Sequence, residues 1–155
     1  MIAVLQRAAR AFVEVDGRVV GEIGKGLLIL LGVAEGDTER EAEMLAAKVL
    51  KCRIFEDEAG KMNRSVTDVG GGALVVSNFT LLANYRRGNR PDFMGAAAPA
   101  RANELYTYFT ELVRREVGEV GNGVFGAEME VELVGDGPVT IVMNTDVLKQ
   151  SKKES

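Results

Sequence analysis

The sequence predicts an α+β domain in which a mixed or antiparallel sheet curls towards a barrel and two helices pack on its outside. Three observations predict it. Strand-like segments outnumber helical ones, in the order β-β-β-β-α-β-α-β-β. The run Leu27-Leu28-Ile29-Leu30-Leu31 is apolar without alternation, as a strand covered on both faces must be. Only two segments repeat apolar residues at helical spacing. At about 150 residues per domain, the 155 residues make one domain that buries about 70% of its unfolded surface. Residues 1–148 read as that domain, and the polar, unpatterned residues 149–155 as a disordered tail.

Taken in order, residues 2–7 and 11–15 read as two strands, the second alternating Phe12 and Glu14 against Val13 and Val15. Asp16-Gly17 tolerates the positive φ of a type I′ hairpin turn, and Val19, Val20 and Ile23 return as the partner strand. Gly24-Lys25-Gly26 turns the chain into the covered strand at residues 26–33. Thr38 followed by Glu41 is a capping box that opens the first helix, with Ala42, Leu45, Ala46 and Val49 on one face. Residues 57–61 form a turn. Gly70-Gly71-Gly72 reads as a flexible hairpin loop before the strand Ala73-Leu74-Val75-Val76, since no Gly-Lys-Ser/Thr follows to make a phosphate loop. Pro99 opens the second helix, whose apolar face holds Ala102, Leu105, Phe109, Leu112 and Val113. Residues 125–134 alternate as a strand, Gly135-Asp136-Gly137-Pro138 turns, and residues 139–143 return.

Composition excludes whole classes of chemistry. The chain has no histidine, so Ser-His and Cys-His nucleophile pairs and histidine metal sites are ruled out. Its single Cys52 makes no internal disulfide or cysteine zinc site; it reads as a buried structural thiol and fits a reducing cytoplasm. No metal or cofactor is expected. With 19 basic and 23 acidic side chains the net charge is −4, which excludes a general DNA coat and leaves nucleic-acid contact to a local patch. No apolar stretch reaches the roughly 18 residues of a membrane span, and the N-terminus lacks a signal-peptide plan, so neither DNA nor membrane is an expected partner. Met44, Met129 and Met143 show no stripe and read as core fillers.

Three segments stand out as candidates for function. Ser77-Asn78-Phe79-Thr80-Leu81 puts hydroxyl, amide and backbone N–H groups at the end of a buried strand; taken alone it also reads as a turn former. Gly137-Pro138 offers a candidate cis bond that would aim successive carbonyls as a ligand clamp, or a plain tight turn. Arg86, Arg87 and Arg90, interleaved with Tyr85 and Phe93, suit phosphate oxygens and unpaired bases, or form a solvated loop; Arg101, Arg114 and Arg115 lie where they could extend this patch, but Glu104, Glu111 and Glu116 largely offset them.

Together these segments resemble one family, the D-aminoacyl-tRNA deacylases, formerly called D-tyrosyl-tRNA deacylases. The resemblance runs from Met1 to about Met143. It rests on Gly26-Leu27-Leu28-Ile29-Leu30-Leu31-Gly32-Val33, Arg53-Ile54-Phe55-Glu56-Asp57, Gly60-Lys61-Met62-Asn63, Gly88-Asn89-Arg90-Pro91-Asp92-Phe93 and Gly137-Pro138-Val139-Thr140. The family signature Ser-Gln-Phe-Thr-Leu stands here as Ser77-Asn78-Phe79-Thr80-Leu81, and Asn-x-Gly-Pro-(Val/Phe)-Thr as Gly135-Asp136-Gly137-Pro138-Val139-Thr140. Asn78 and Gly135 depart from the pattern.

The resemblance implies hydrolysis of the ester between a D-amino acid and the 3′-terminal adenosine of tRNA, and of glycine mischarged on alanine tRNA, with no cofactor. It implies a cytoplasmic homodimer in which Gly137-Pro138 of one subunit enters the other's site and rejects L side chains. It places Ser77 as pocket organiser, Asn78, Gly137 and Pro138 in substrate binding, and backbone N–H groups of Phe79 and Thr80 at the developing oxyanion, with the Thr80 hydroxyl hydrogen-bonding and not attacking. Arg86, Arg87 and Arg90 are the expected tRNA contacts. Two rival readings are an editing domain that removes L-serine from tRNA and a non-catalytic tRNA-binding module.

Overall fold

A computed structural model describes residues 1–150. Strand β1 (Ile2–Val15) is central to its sheet: β3 (Gly26–Gly32) pairs with its first half, β2 (Arg18–Ile23) with its second, and β8 (Glu130–Asn144) runs antiparallel along its other edge. Beyond β3 lie β6 (Gly72–Ser77) and β7 (Val120–Asn122), both paired parallel. The ends curl together until β2 at Gly21 meets β7 at Asn122, so the mixed sheet is nearly a closed barrel, as expected from the strand-rich order. Outside it pack α1 (Glu39–Lys51) and α2 (Pro99–Arg114).

The two apolar cores explain the unalternating strand. Leu27, Ile29 and Leu31 face the helices with Leu45, Leu105 and Phe109, while Leu28 faces the barrel interior with Val13, Leu74 and Val76. The capping box is present: Thr38 Oγ1 accepts from the Arg40 N–H at 3.3 Å, and the Glu41 carboxylate accepts from the Thr38 N–H at 2.7 Å. Asp16 and Gly17 take the positive φ values of the expected hairpin turn.

Several expectations are corrected. The two N-terminal strands are one, because Ala9 and Arg10 form a bulge and not a break; it switches the parity of the barrel-facing positions from Ala8 before it to Ala11 and Val13 after it. Gly70-Gly71-Gly72 is no hairpin loop. It ends a crossover into a parallel strand, and Gly72 lies against Gly26 so closely that a Cβ on Gly26 would collide with the Gly72 carbonyl. The turn at residues 57–61 joins a small hairpin, β4 (Phe55–Glu56) and β5 (Met62–Arg64), with the Asp57 carboxylate accepting from the N–H groups of Ala59 and Lys61. Residues 125–129 precede the last strand instead of belonging to it. Gly135-Asp136-Gly137-Pro138 does not reverse the chain either, since β8 continues through it. Cys52 caps the C-terminus of α1, half-buried, and burial pushes its thiol pKa up.

A third helix, α3 (Thr145–Leu148), follows β8, and the Lys149 ammonium reaches the Glu41 carboxylate at 2.8 Å. Residues 151–155, most of the expected tail, lie outside the described residues. No described helix is long and apolar enough to cross a membrane. Lys149 first, then Thr38, hold the buried Glu41 carboxyl down at about 2, against an ordinary 4.5. Ionised Glu41 therefore contributes its full stabilisation, about 1 kcal/mol with its exposed Lys149 partner screened by solvent, above the ordinary value, and loses it as pH falls towards 2. Urea unfolding of the chain and of Glu41→Gln should differ most near pH 6 and converge by pH 2; a constant difference across that range refutes the linkage.

Candidate active site

The polar residues at the end of β6 sit where the chain leaves the core. Ser77 still pairs across to Leu31, and the Asn78 N–H donates to the Leu31 carbonyl at 2.8 Å. A single 3₁₀ turn, Phe79–Leu82, follows. Asn78 caps it: its Oδ1 accepts from the Thr80 backbone N–H at 3.2 Å and also from the Thr80 hydroxyl. The Thr80 N–H expected at an oxyanion is thus engaged within the turn. Among the described residues the Phe79 N–H has no backbone acceptor, as the first residue of a helical turn does not.

Ser77, Asn78 and Phe79 border a cavity of about 590 Å³. The strand ends contribute Leu31 and Val33. Opposite them runs the segment of Phe93 and Ala96 to Ala98, strapped to the β3 edge by hydrogen bonds from the Ala97 N–H to the Val33 carbonyl (3.0 Å) and from the Glu35 N–H to the Gly95 carbonyl (2.9 Å). Phe93 meets Phe79 edge to face at 5.1 Å. Tyr106 of α2, Phe125 and Met129 close the apolar remainder. Burial raises the pKa of the Tyr106 phenol, keeping it neutral. It donates to the Val75 carbonyl at 2.8 Å and accepts from Asn122 Nδ2 at 2.8 Å. No carboxylate, ammonium or guanidinium lines this cavity among the described residues, and no cluster of three or more potential metal ligands occurs among them.

Gly137 and Pro138 lie elsewhere on the same chain. Between the pairs Gln6↔Thr140 and Ala8↔Gly135 stands one residue of β1, Arg7, against four of β8, Asp136 to Val139. The excess forms an exposed bulge around a cis Gly137-Pro138 bond, with Gly137 at φ +131°. Buried Arg7 holds its base: Nε donates to the Asp136 carbonyl at 3.0 Å and Nη1 to the Ile54 carbonyl at 2.8 Å. Neither Gly137 nor Pro138 lines the cavity of its own chain.

A profile of the family described as D-Tyr-tRNA(Tyr) deacylase matches residues 4–144. The chain belongs to this family. It is 57% identical over 144 residues to a protein of Deinococcus radiodurans named D-aminoacyl-tRNA deacylase, covering 93% of this chain and 99% of the relative. To the protein of that name from Roseiflexus castenholzii it is 53% identical, over 98% of this chain and 97% of the other. Among solved structures it superposes with TM-score 0.88 on one described as c-Myc DNA unwinding element binding protein, 41% identical over 93% of this chain and 98% of that one. A probable eukaryotic D-amino acid tRNA deacylase, 16% identical with TM-score 0.79 over 92% and 97% of the two chains, shares the fold.

Within this family member, Arg86, Arg87 and Arg90 are exposed on a loop closed by paired hydrogen bonds between Asn84 and Asp92, and its base delivers Phe93 to the cavity. Arg101 and Arg114 do not extend that patch as free cations: Arg101 is paired with Glu39 and Glu104, and Arg114 with Glu111. Sequence reasoning missed Tyr106, Phe125 and the alanines; Met129, expected as a core filler, packs against the barrel-interior core and also reaches the cavity. Phe93 of the arginine loop and the Ser77 to Phe79 segment were the local signals of the cavity wall.

Proposed function

We propose that this chain hydrolyses the ester linking a D-amino acid to the 3′ end of tRNA, releasing free tRNA and the D-amino acid, as a proofreading step in translation. The observation that carries the reading is a cavity edged by Ser77, Asn78 and Phe79, whose N–H has no protein acceptor among the described residues, with no carboxylate, ammonium or guanidinium in its lining. Such a site suits a substrate that is already activated, and an aminoacyl ester is one. Water adds to the ester carbonyl, the Phe79 N–H receives the charge that develops on its oxygen, and the acyl bond to the ribose breaks as the released 3′-oxygen takes up a proton. The neighbouring 2′-OH of the ribose orients the water. The relatives named D-aminoacyl-tRNA deacylase support the substrate class over nearly the full chain.

Handedness is assigned to the partner copy. The exposed Gly137-Pro138 bulge of one subunit enters the other's cavity and blocks an L side chain, whereas a D side chain points away and achiral glycine passes, which makes glycyl-tRNA(Ala) a second substrate. An apolar row supports the homodimer: Val142, 69% exposed, is the neighbour of half-buried Val4, and Val4 of half-buried Leu30, across three strands. Arg86, Arg87 and Arg90 take the tRNA phosphates. The site is assembled for work on cytoplasmic tRNA.

The test is hydrolysis of D-Tyr-tRNA, L-Tyr-tRNA and glycyl-tRNA(Ala) by the purified chain, with its mass measured by light scattering. Loss of the D and glycyl esters alone, from a particle of twice the 16.7 kDa chain mass, is the expected result. Reversal of the three arginines to Glu should raise KM for tRNA esters and leave kcat in place. Persistence of every ester with tRNA still bound returns the chain to a binding module, and loss of an L-seryl ester instead makes it an L-specific editing domain.

A further inference from the structure

The deacylase reading leaves the Thr80 hydroxyl without a task, because Asn78 lines the cavity and Thr80 does not. Asn78 Oδ1 receives two hydrogen bonds from Thr80, one from its backbone N–H at 3.2 Å and one from its hydroxyl. A backbone N–H only donates, so the atom facing it is the carboxamide oxygen and the orientation of the amide is fixed. The two hydrogens on Asn78 Nδ2 are then turned away from Thr80, and among the described residues they have no protein acceptor, next in the chain to the free Phe79 N–H. The arrangement depends on the length of this side chain. An Asx side chain closes a turn onto the N–H two residues on, whereas the extra methylene of Gln disfavours that ring.

We infer that Thr80 is a positioning residue that acts through Asn78: it holds the carboxamide so that Nδ2 donates to the ester carbonyl beside the Phe79 N–H. This rests on the deacylase reading. Asn78, not the Thr80 N–H, thereby supplies the second donor to the developing oxyanion. The Thr80 hydroxyl gives its hydrogen to Asn78 and forms no bond to the substrate carbon.

Single-turnover deacylation of D-Tyr-tRNA tests the assignment in a double-mutant cycle. Thr80→Val, which keeps shape and backbone N–H but removes the hydroxyl, should lower kcat about tenfold with KM unchanged, and Thr80→Ser should restore it to within about twofold. In an Asn78→Ala background Thr80→Val should cost less than about twofold, since nothing is left to position. An equal loss in both backgrounds overturns the proposal and gives Thr80 a direct role; so does a Thr80→Val variant as fast as wild type. The Asn78 side-chain amide resonances give a readout independent of activity. They should be ordered in the wild type and in Thr80→Ser and averaged in Thr80→Val, and an amide indifferent to that substitution overturns the coupling. A wild-type chain with ordered Asn78 resonances but no cleavage overturns the deacylase reading, and the catalytic use of the pair with it.

Discussion

Arg7→Met is expected to destabilise the chain by about 3 kcal/mol and to lower the ratio of D to L ester cleavage at least about tenfold. Arg7 is 6% exposed and stands alone opposite four residues of β8. Its guanidinium ties the Asp136 carbonyl in the bulge to the Ile54 carbonyl just before β4, so one side chain fastens the bulge to the body of the fold. Charge-assisted bonds of this kind are worth about 1.5–3 kcal/mol each, and the buried Ile54 carbonyl and the part-buried Asp136 carbonyl would lose their partner. The ion pair to the Asp136 carboxylate, at 3.4 Å and half-exposed, adds little. With its base released, the bulge no longer holds Gly137 and Pro138 at one place, and an L side chain finds room. Urea unfolding and paired assays on D-Tyr-tRNA and L-Tyr-tRNA separate the two effects; lost stability with an unchanged ratio would leave Arg7 as scaffold only.

The second large effect is expected from Phe79→Pro, which deletes the N–H assigned to the oxyanion. Proline is tolerated at the first position of a helical turn, and Asn78 before it, at φ −148°, ψ 91°, is already outside the α region that a following proline disfavours. The substitution should therefore fold. Removing one such donor typically costs a factor of about 10²–10³ in rate. Phe79→Ala controls for loss of the ring packed on Phe93: it keeps the N–H and should lose far less. Equal rates for the two variants would remove the backbone donor from the mechanism.

Local chemistry made much of this fold legible. Thr38 with Glu41, Asp16-Gly17 and Pro99 each act within a few residues, and each is found as expected. The failures share a cause. Glycine and proline punctuate bulges as readily as turns, so residues 135–138 read as a reversal, although whether a strand resumes its course depends on a partner more than a hundred residues away. The same holds for Gly72, whose need for space is set by Gly26 in a parallel strand. The site divides likewise. Ser77, Asn78 and Phe79 break strand grammar and are visible locally; Tyr106 hides beside Leu105 in an ordinary amphipathic helix, and Asn122, which holds the Tyr106 hydroxyl, sits in a three-residue strand with no periodicity to betray it.

The bulge on β8 is tied at both ends, by a ladder that resumes at Thr140 and at Gly135 and by Arg7 beneath it. A backbone held in this way does not adapt to what approaches it. On the proposed reading it tests a single point in space, the one an L side chain would occupy, and leaves everything beyond that point unread. The filter is then generic across amino acids: bulky and small D residues pass alike, and one protein can serve the whole set of tRNAs without a pocket shaped to any of them.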